Sequence, residues 1–169
     1  MQVTECAVEP KLHLKMTTGA TLADTMKELV KTNPGYKWEV RQGVVELMPE
    51  GGLPELLKTR VGHFEIAPST HKLDAFDVLT HISSLPGIKA RATQLGMSTS
   101  GFIGCCGPGG GEDLAHAKDK DAPRQIRIGD VSLRDAFDSV VRAYGHFIWI
   151  YKESRCNGKT IYEVTVSWD

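Results

Sequence analysis

Two stretches of the sequence, residues 22–38 and 133–149, repeat one pattern of apolar residues, and this repeat constrains the fold more than any other feature. Each begins with a leucine and places further apolar side chains where one face of an α-helix would carry them. The matched positions are Leu22 with Leu133, Met26 with Phe137, and Leu29-Val30 with Val140-Val141. Trp38 and Trp149 then stand at the same place in the segment that follows. An aromatic side chain there is expected to lie over the helix stripe and bury a large area, so each stretch predicts a helix leading into a packed strand.

The residues around the first stretch extend it into a unit of strand, helix and hairpin, spanning residues about 11–48. KLHLKM alternates and predicts a strand at 11–16. Thr21 is suited to cap the helix that follows, and Asn33-Pro34-Gly35 ends it. Two strands, YKWEV and VVELM, are predicted to form a hairpin in which Gly43 supplies the positive φ of a tight turn.

The last unit, about 124–168, repeats this plan. RQIRI predicts a strand at 124–128, and SLRDAFDSVVRAY predicts a helix at 132–144 that ends at Gly145. HFIWIYKE and KTIYEVTVSW are expected to be two strands joined across residues 154–158.

A third, weaker copy, about 61–96, lies between them. It comprises a strand at 63–67, a helix at 73–85 that shares the letters DAFD with the last unit, and a short second helix in GIKARATQLGM. Residues 97–122 are rich in glycine and predict an exposed loop. The chain is therefore expected to be a single compact domain, residues 1–169. Its class is α+β with α/β-like repeats, and its helices pack on mixed or antiparallel sheets.

The repeated unit resembles the N-terminal short domain of secretins and TonB-dependent receptors. The resemblance is carried by ATLADTMKELVKTNPGYKWEVRQGVVELMP and DVSLRDAFDSVVRAYGHFIWIYKE. The chain also resembles a group of bacterial secreted proteins that share "NPGYKWEV-x-x-GVVELMP" and "FEI…LDAF…LPGIKARATQLGM". These likenesses imply protein–protein contact in the periplasm, and they bring no catalytic residue.

The charge balance and hydropathy pattern limit the partners. The formal net charge is -1 and no block of like charges occurs, so a nucleic-acid partner is disfavoured. No stretch approaches the roughly 20 apolar residues of a membrane span, and no signal peptide is recognised at the start. Two histories fit: a cytosolic protein, or a mature secreted or periplasmic protein whose signal is missing from this sequence.

The four cysteines are Cys6, Cys105, Cys106 and Cys156. An even number of widely separated cysteines suits two disulfides in an oxidising compartment. Because a bond between adjacent cysteines is strained, two pairings remain: Cys6 with Cys105 and Cys106 with Cys156, or Cys6 with Cys106 and Cys105 with Cys156. Four free thiols in a reducing compartment are the alternative.

The segment CCGPGGGEDLAH holds the weak candidates for a metal site, Cys105, Cys106 and His116 together with Asp113. Zinc sites usually space their cysteines by two to four residues, so adjacent cysteines disfavour this interpretation. The glycine run is not a phosphate loop, since Glu112-Asp113 stands where a P-loop needs lysine and a hydroxyl. No bound cofactor is predicted.

Three other kinds of site have candidate residues in the sequence. A cysteine nucleophile would need a histidine base among His63, His71, His81, His116 and His146. The pairs Asp74/Asp77 and Asp135/Asp138 each lie on one helix face, where favourable helix-dipole interaction explains them without catalysis. Strand aromatics could offer a peptide- or glycan-binding face, although core packing explains Trp38 and Trp149.

The sequence therefore predicts a non-enzymatic, extracytoplasmic binding module that contacts another protein or a component of the cell envelope. The alternative is a small hydrolase, or a thiol- or metal-dependent enzyme, that uses the loop of Cys105 and Cys106. A metal- or redox-responsive protein is a third possibility.

Overall fold

A computed structural model describes residues 19–66, 75–104, 125–145 and 147–168. The predicted strand at 11–16 lies outside these residues. Within them the chain forms α-helices, one short 3₁₀ helix at Glu55–Lys58, and strands. The helices are α1 (Leu22–Thr32), α2 (Ala75–Ser83), α3 (Pro86–Gln94) and α4 (Leu133–Tyr144). The strands are β1 (Tyr36–Arg41), β2 (Val44–Pro49), β3 (Arg60–Val61), β4 (Phe64–Ile66), β5 (Met97–Gly104), β6 (Ile126–Ile128), β7 (Val131–Ser132), β8 (Phe147–Cys156) and β9 (Lys159–Trp168).

Helices and small sheets of mixed and antiparallel pairing confirm the α+β class. The chain divides into two compact units, one within residues 8–54 and the other within the rest of the chain. The single domain remains a prediction. Within the described part of the chain, no helix has the length and apolar character needed to cross a membrane.

The smaller unit contains the predicted helix and hairpin. Thr21 and Asp24 form a capping box at the start of α1, in which the Thr21 hydroxyl accepts from the backbone N–H of Asp24 at 3.2 Å. Strands β1 and β2 pair in an antiparallel ladder closed by Gln42-Gly43, with φ of 51° and 82°. Two positive φ values make a type I′ turn, whose twist matches that of the strands. The Gly43 prediction is thus confirmed.

The larger unit is built around α4, which contacts α2, the 3₁₀ helix, β3, β7 and β8. Ser132 caps its start by accepting from the backbone N–H of Asp135 at 3.1 Å, and Gly145 ends it with φ 80°. One face of the helix is fully buried, which confirms most of the predicted stripe. Its buried apolar members are Leu133, Ala136, Phe137, Val140 and Tyr144.

The sheets of the larger unit join segments that are distant in sequence. Strand β3 pairs with β7 and β4 pairs with β6, both antiparallel. A three-stranded sheet has the order β5-β9-β8, with β8 antiparallel and β5 parallel to β9. The short second helix predicted from GIKARATQLGM is confirmed as α3.

Several sequence-based predictions were wrong in part. An exposed loop was predicted at 97–122, but residues 97–104 form β5. They do so because β9 supplies a parallel partner, which the local sequence does not reveal. Strand β8 continues to Cys156, and the turn after it is the two-residue type I′ turn Asn157-Gly158, with φ of 52° and 74°. Leu22 is 60% exposed and does not join the core. A helix leads into a hairpin in both matched stretches, while the internal repeat itself stays a prediction.

Candidate functional site

Strand β8 has one face turned toward α4 and one turned away. The ring of Trp149 lies 5.3 Å from the ring of Phe137 on α4, at an interplanar angle of 56°. Because side chains alternate along a strand, Trp149 and Tyr151 share this inner face, and Ile148 and Ile150 point to the opposite, outer face.

Ile148 and Ile150 are 59% and 49% exposed, respectively. Isoleucine is among the residues most often fully buried, and a sheet face in water normally carries polar side chains. Alternate residues of one strand are about 7 Å apart, so the two side chains are neighbours. We call these two residues the outer patch.

The described side chains that border the outer patch are polar and include both signs of charge. Thr165 is the register partner of Ile150, and Glu163 is the register partner of Lys152. Glu163 also accepts a hydrogen bond from the Thr165 hydroxyl at 3.3 Å. Directly paired residues point to the same face of an antiparallel ladder, so a lysine and a glutamate stand side by side next to the two isoleucines.

The inner face holds this strand firmly against α4. Asp138 has no exposed surface, and its Oδ1 accepts a hydrogen bond from the indole N–H of Trp149 at 3.1 Å. A buried carboxylate is costly unless it is hydrogen-bonded, so this contact ties the orientation of the indole to the helix. The outer patch therefore lies on a strand whose opposite face is packed against α4.

A tyrosine pair continues the inner face. The rings of Tyr151 and Tyr162 stack with centroids 6.3 Å apart, and the Tyr151 hydroxyl donates to Glu153 at 2.6 Å. Burial, and then the hydrogen bond to Glu153, raise the pKa of Tyr151 far above its ordinary value. The phenol stays protonated at neutral pH, as suits a packing role.

An open cleft of about 220 Å³ lies elsewhere in the larger unit, between β3 with the two residues after it and the first turn of α3. Its guanidinium, that of Arg60, is already held by Asp130, with Nε–Oδ1 at 3.0 Å and Nη2–Oδ2 at 2.7 Å. The hydrogen bond from Arg60 lowers the pKa of Asp130. His63 also lines the cleft. The remaining lining residues are apolar or glycine.

The weak metal candidates Cys105, Cys106 and His116 lie outside the described residues, as does Cys6. Cys156 ends β8 and is 6% exposed. Its disulfide, and the cysteine it would pair with, stay a prediction. Across residues 19–66, 75–104, 125–145 and 147–168, no three or more histidine, cysteine or acidic side chains are grouped to hold a metal ion.

The two aspartates of the predicted carboxylate pair on α4 make different structural contacts. Asp135 accepts from the Ser132 hydroxyl at 2.5 Å in the N-terminal cap, whereas Asp138 bonds to Trp149. Asp77 is exposed, and Asp74 lies outside the described residues. Of the histidines, His81 packs its ring 5.1 Å from Phe64. His71 and His146 lie outside the described residues.

The outer patch was missed by sequence reasoning, although a signal existed. The run FIWIY is apolar throughout, which hides the alternation expected of a half-buried strand. Once Trp149 is assigned inward, however, the period of two forces Ile148 and Ile150 outward.

Comparison with known proteins found no matching family model, curated protein or solved structure. The resemblance to the short domain of secretins and TonB-dependent receptors therefore stays a prediction.

Proposed function

We propose that this protein is a non-enzymatic interaction module that works outside the cytoplasm and contacts another protein through the outer patch. The observation that carries the proposal is the exposure of Ile148 and Ile150, at 59% and 49%, on a strand whose other face is packed. Large apolar side chains grouped in water mark contact surfaces.

The energetics fit a reversible contact. Burying a fully exposed isoleucine side chain contributes about 1.5–3 kcal/mol. With about half of each side chain exposed at the outset, the two together contribute roughly 2 kcal/mol. Hydrogen bonds at the polar border would supply the rest of the binding free energy and the specificity for the partner.

The even number of widely separated cysteines, Cys156 among them, supports the extracytoplasmic part of the proposal, because disulfides persist in oxidising compartments. Protein isolated from its native host, alkylated without reduction and digested, is expected to yield Cys156 joined to Cys6, Cys105 or Cys106. Intact mass should rise by a pair of hydrogens for each bridge on reduction. Alkylation of all four thiols before reduction would place the protein in a reducing compartment and contradict this part.

The patch itself is tested by replacing Ile148 and Ile150 together with lysine. In crosslinking experiments in the native host, we expect the yield of crosslinked adducts to fall by at least about 10-fold. The reason is that each lysine would have to be desolvated in the contact. Unfolding midpoints should hardly change, since both positions are exposed.

The matched control is Val40→Lys, the same kind of change at a residue that is 60% exposed on the smaller unit. It should keep the adducts of the unaltered protein. Equal adducts from the patch variant and the control would remove the outer patch as the contact surface.

A further inference from the structure

We propose that the occupant of the outer patch is a second copy of this chain, giving a symmetric dimer in which two β8–β9 faces meet. The inference rests on the proposed function in that it uses the same face. What it adds is the identity of the partner.

A symmetric dimer requires a face that is complementary to itself. In a two-fold dimer the same surface is used by both copies, so it must be complementary to itself. A face with only one sign of charge would repel its own copy. Beside the outer patch, the described side chains include a cation and an anion, Lys152 and Glu163, which are register partners on β8 and β9.

The register places these charges usefully. Consider a two-fold axis that lies between the faces and runs parallel to the strands, midway between β8 and β9. It exchanges the two strands without moving residues along them, so Lys152 of one copy faces Glu163 of the other, twice. The isoleucines of the two copies are then offset by one strand spacing, about 4.8 Å, which lets them interdigitate across sheets about 10 Å apart.

The size of the apolar centre sets the strength. Stable dimers bury about 800 Å² on each partner, and two half-exposed isoleucines provide only a fraction of that. The dimer is therefore weak and forms as the protein is concentrated, which suits a contact that opens and closes.

Sedimentation equilibrium of the purified full chain over a wide concentration range tests the dimer. We expect the average mass to rise from monomer toward dimer. Ile148→Lys with Ile150→Lys should remain monomeric, and Val40→Lys should behave as the unaltered chain. A chain that stays monomeric up to millimolar concentration, or a patch variant that still dimerises, overturns the inference.

Charge reversal tests the arrangement. Lys152→Glu alone and Glu163→Lys alone each set like charges against each other and should weaken association by about 10-fold. The two together should restore it. The same two residues are also paired within one chain, so a charge reversal could destabilise the fold itself. The unfolding midpoint of each variant separates such destabilisation from weaker association. Failure of the double reversal to restore association overturns the proposed axis.

The two proposals fail differently. A monomeric chain whose patch variant still loses its host adducts overturns only the second copy as partner. A patch variant without effect in both experiments overturns the proposed function as well.

Discussion

Replacing Phe137 with alanine is expected to lower the free energy of unfolding by about 3–5 kcal/mol. Phe137 has no exposed surface and packs its ring against Trp149. Removing the ring leaves a cavity between α4 and β8 and takes away the aromatic contact as well. Urea denaturation followed by circular dichroism measures the change, and total stabilities of 5–15 kcal/mol leave room to measure it.

Ile150→Ala is the control, because the side chain it shortens is on the same strand's outer face and 49% exposed. It should cost no more than about 1 kcal/mol. If Phe137→Ala cost as little as this control, the packing of α4 on β8 would be wrong.

Asp138→Ala should cost about 2–3 kcal/mol, because it removes a buried hydrogen bond and leaves the indole N–H of Trp149 without this acceptor. The chain offers a close control. Asp77 occupies the same place in the other DAFD segment, residues 74–77, but it is exposed. Asp77→Ala should therefore cost well under 1 kcal/mol.

A double-mutant cycle that combines Asp138→Ala with Trp149→Phe isolates the pair. We expect the double variant to be less destabilised than the sum of the singles, by about 1 kcal/mol or more. Strict additivity, or equal costs at Asp77 and Asp138, would show that the hydrogen bond does not hold the strand to the helix.

The parts of the fold that were predictable from sequence depend on short-range physics. The spacing of apolar residues predicted the position of α4. Thr21 predicted the start of one helix, Gly145 predicted the end of another, and Gly43 predicted a turn. Each of these signals acts within a few residues, so no knowledge of distant neighbours was needed.

The rest depends on neighbours that are distant in sequence. Identical DAFD letters give a buried Asp138 and an exposed Asp77. Asp138 has a tryptophan 11 residues later to bond, whereas the residue at that distance from Asp77 is Ile88. In the smaller unit, Lys27 stands where α4 has Asp138, so the bond to the tryptophan is not repeated. The matched pattern describes apolar positions and leaves polar contacts undetermined.

The parallel pairing of β5 with β9 has a consequence for synthesis on the ribosome. Met97 lies opposite Thr160, so β5 has to wait for a partner that is translated much later. At 5–20 residues per second the delay is roughly 3–13 s. The α1 helix and the β1–β2 hairpin depend on close neighbours and can form while β5 is still waiting. During that interval the backbone N–H and C=O groups of residues 97–104 lack their ladder partner, so a strand of another nascent chain can pair with them.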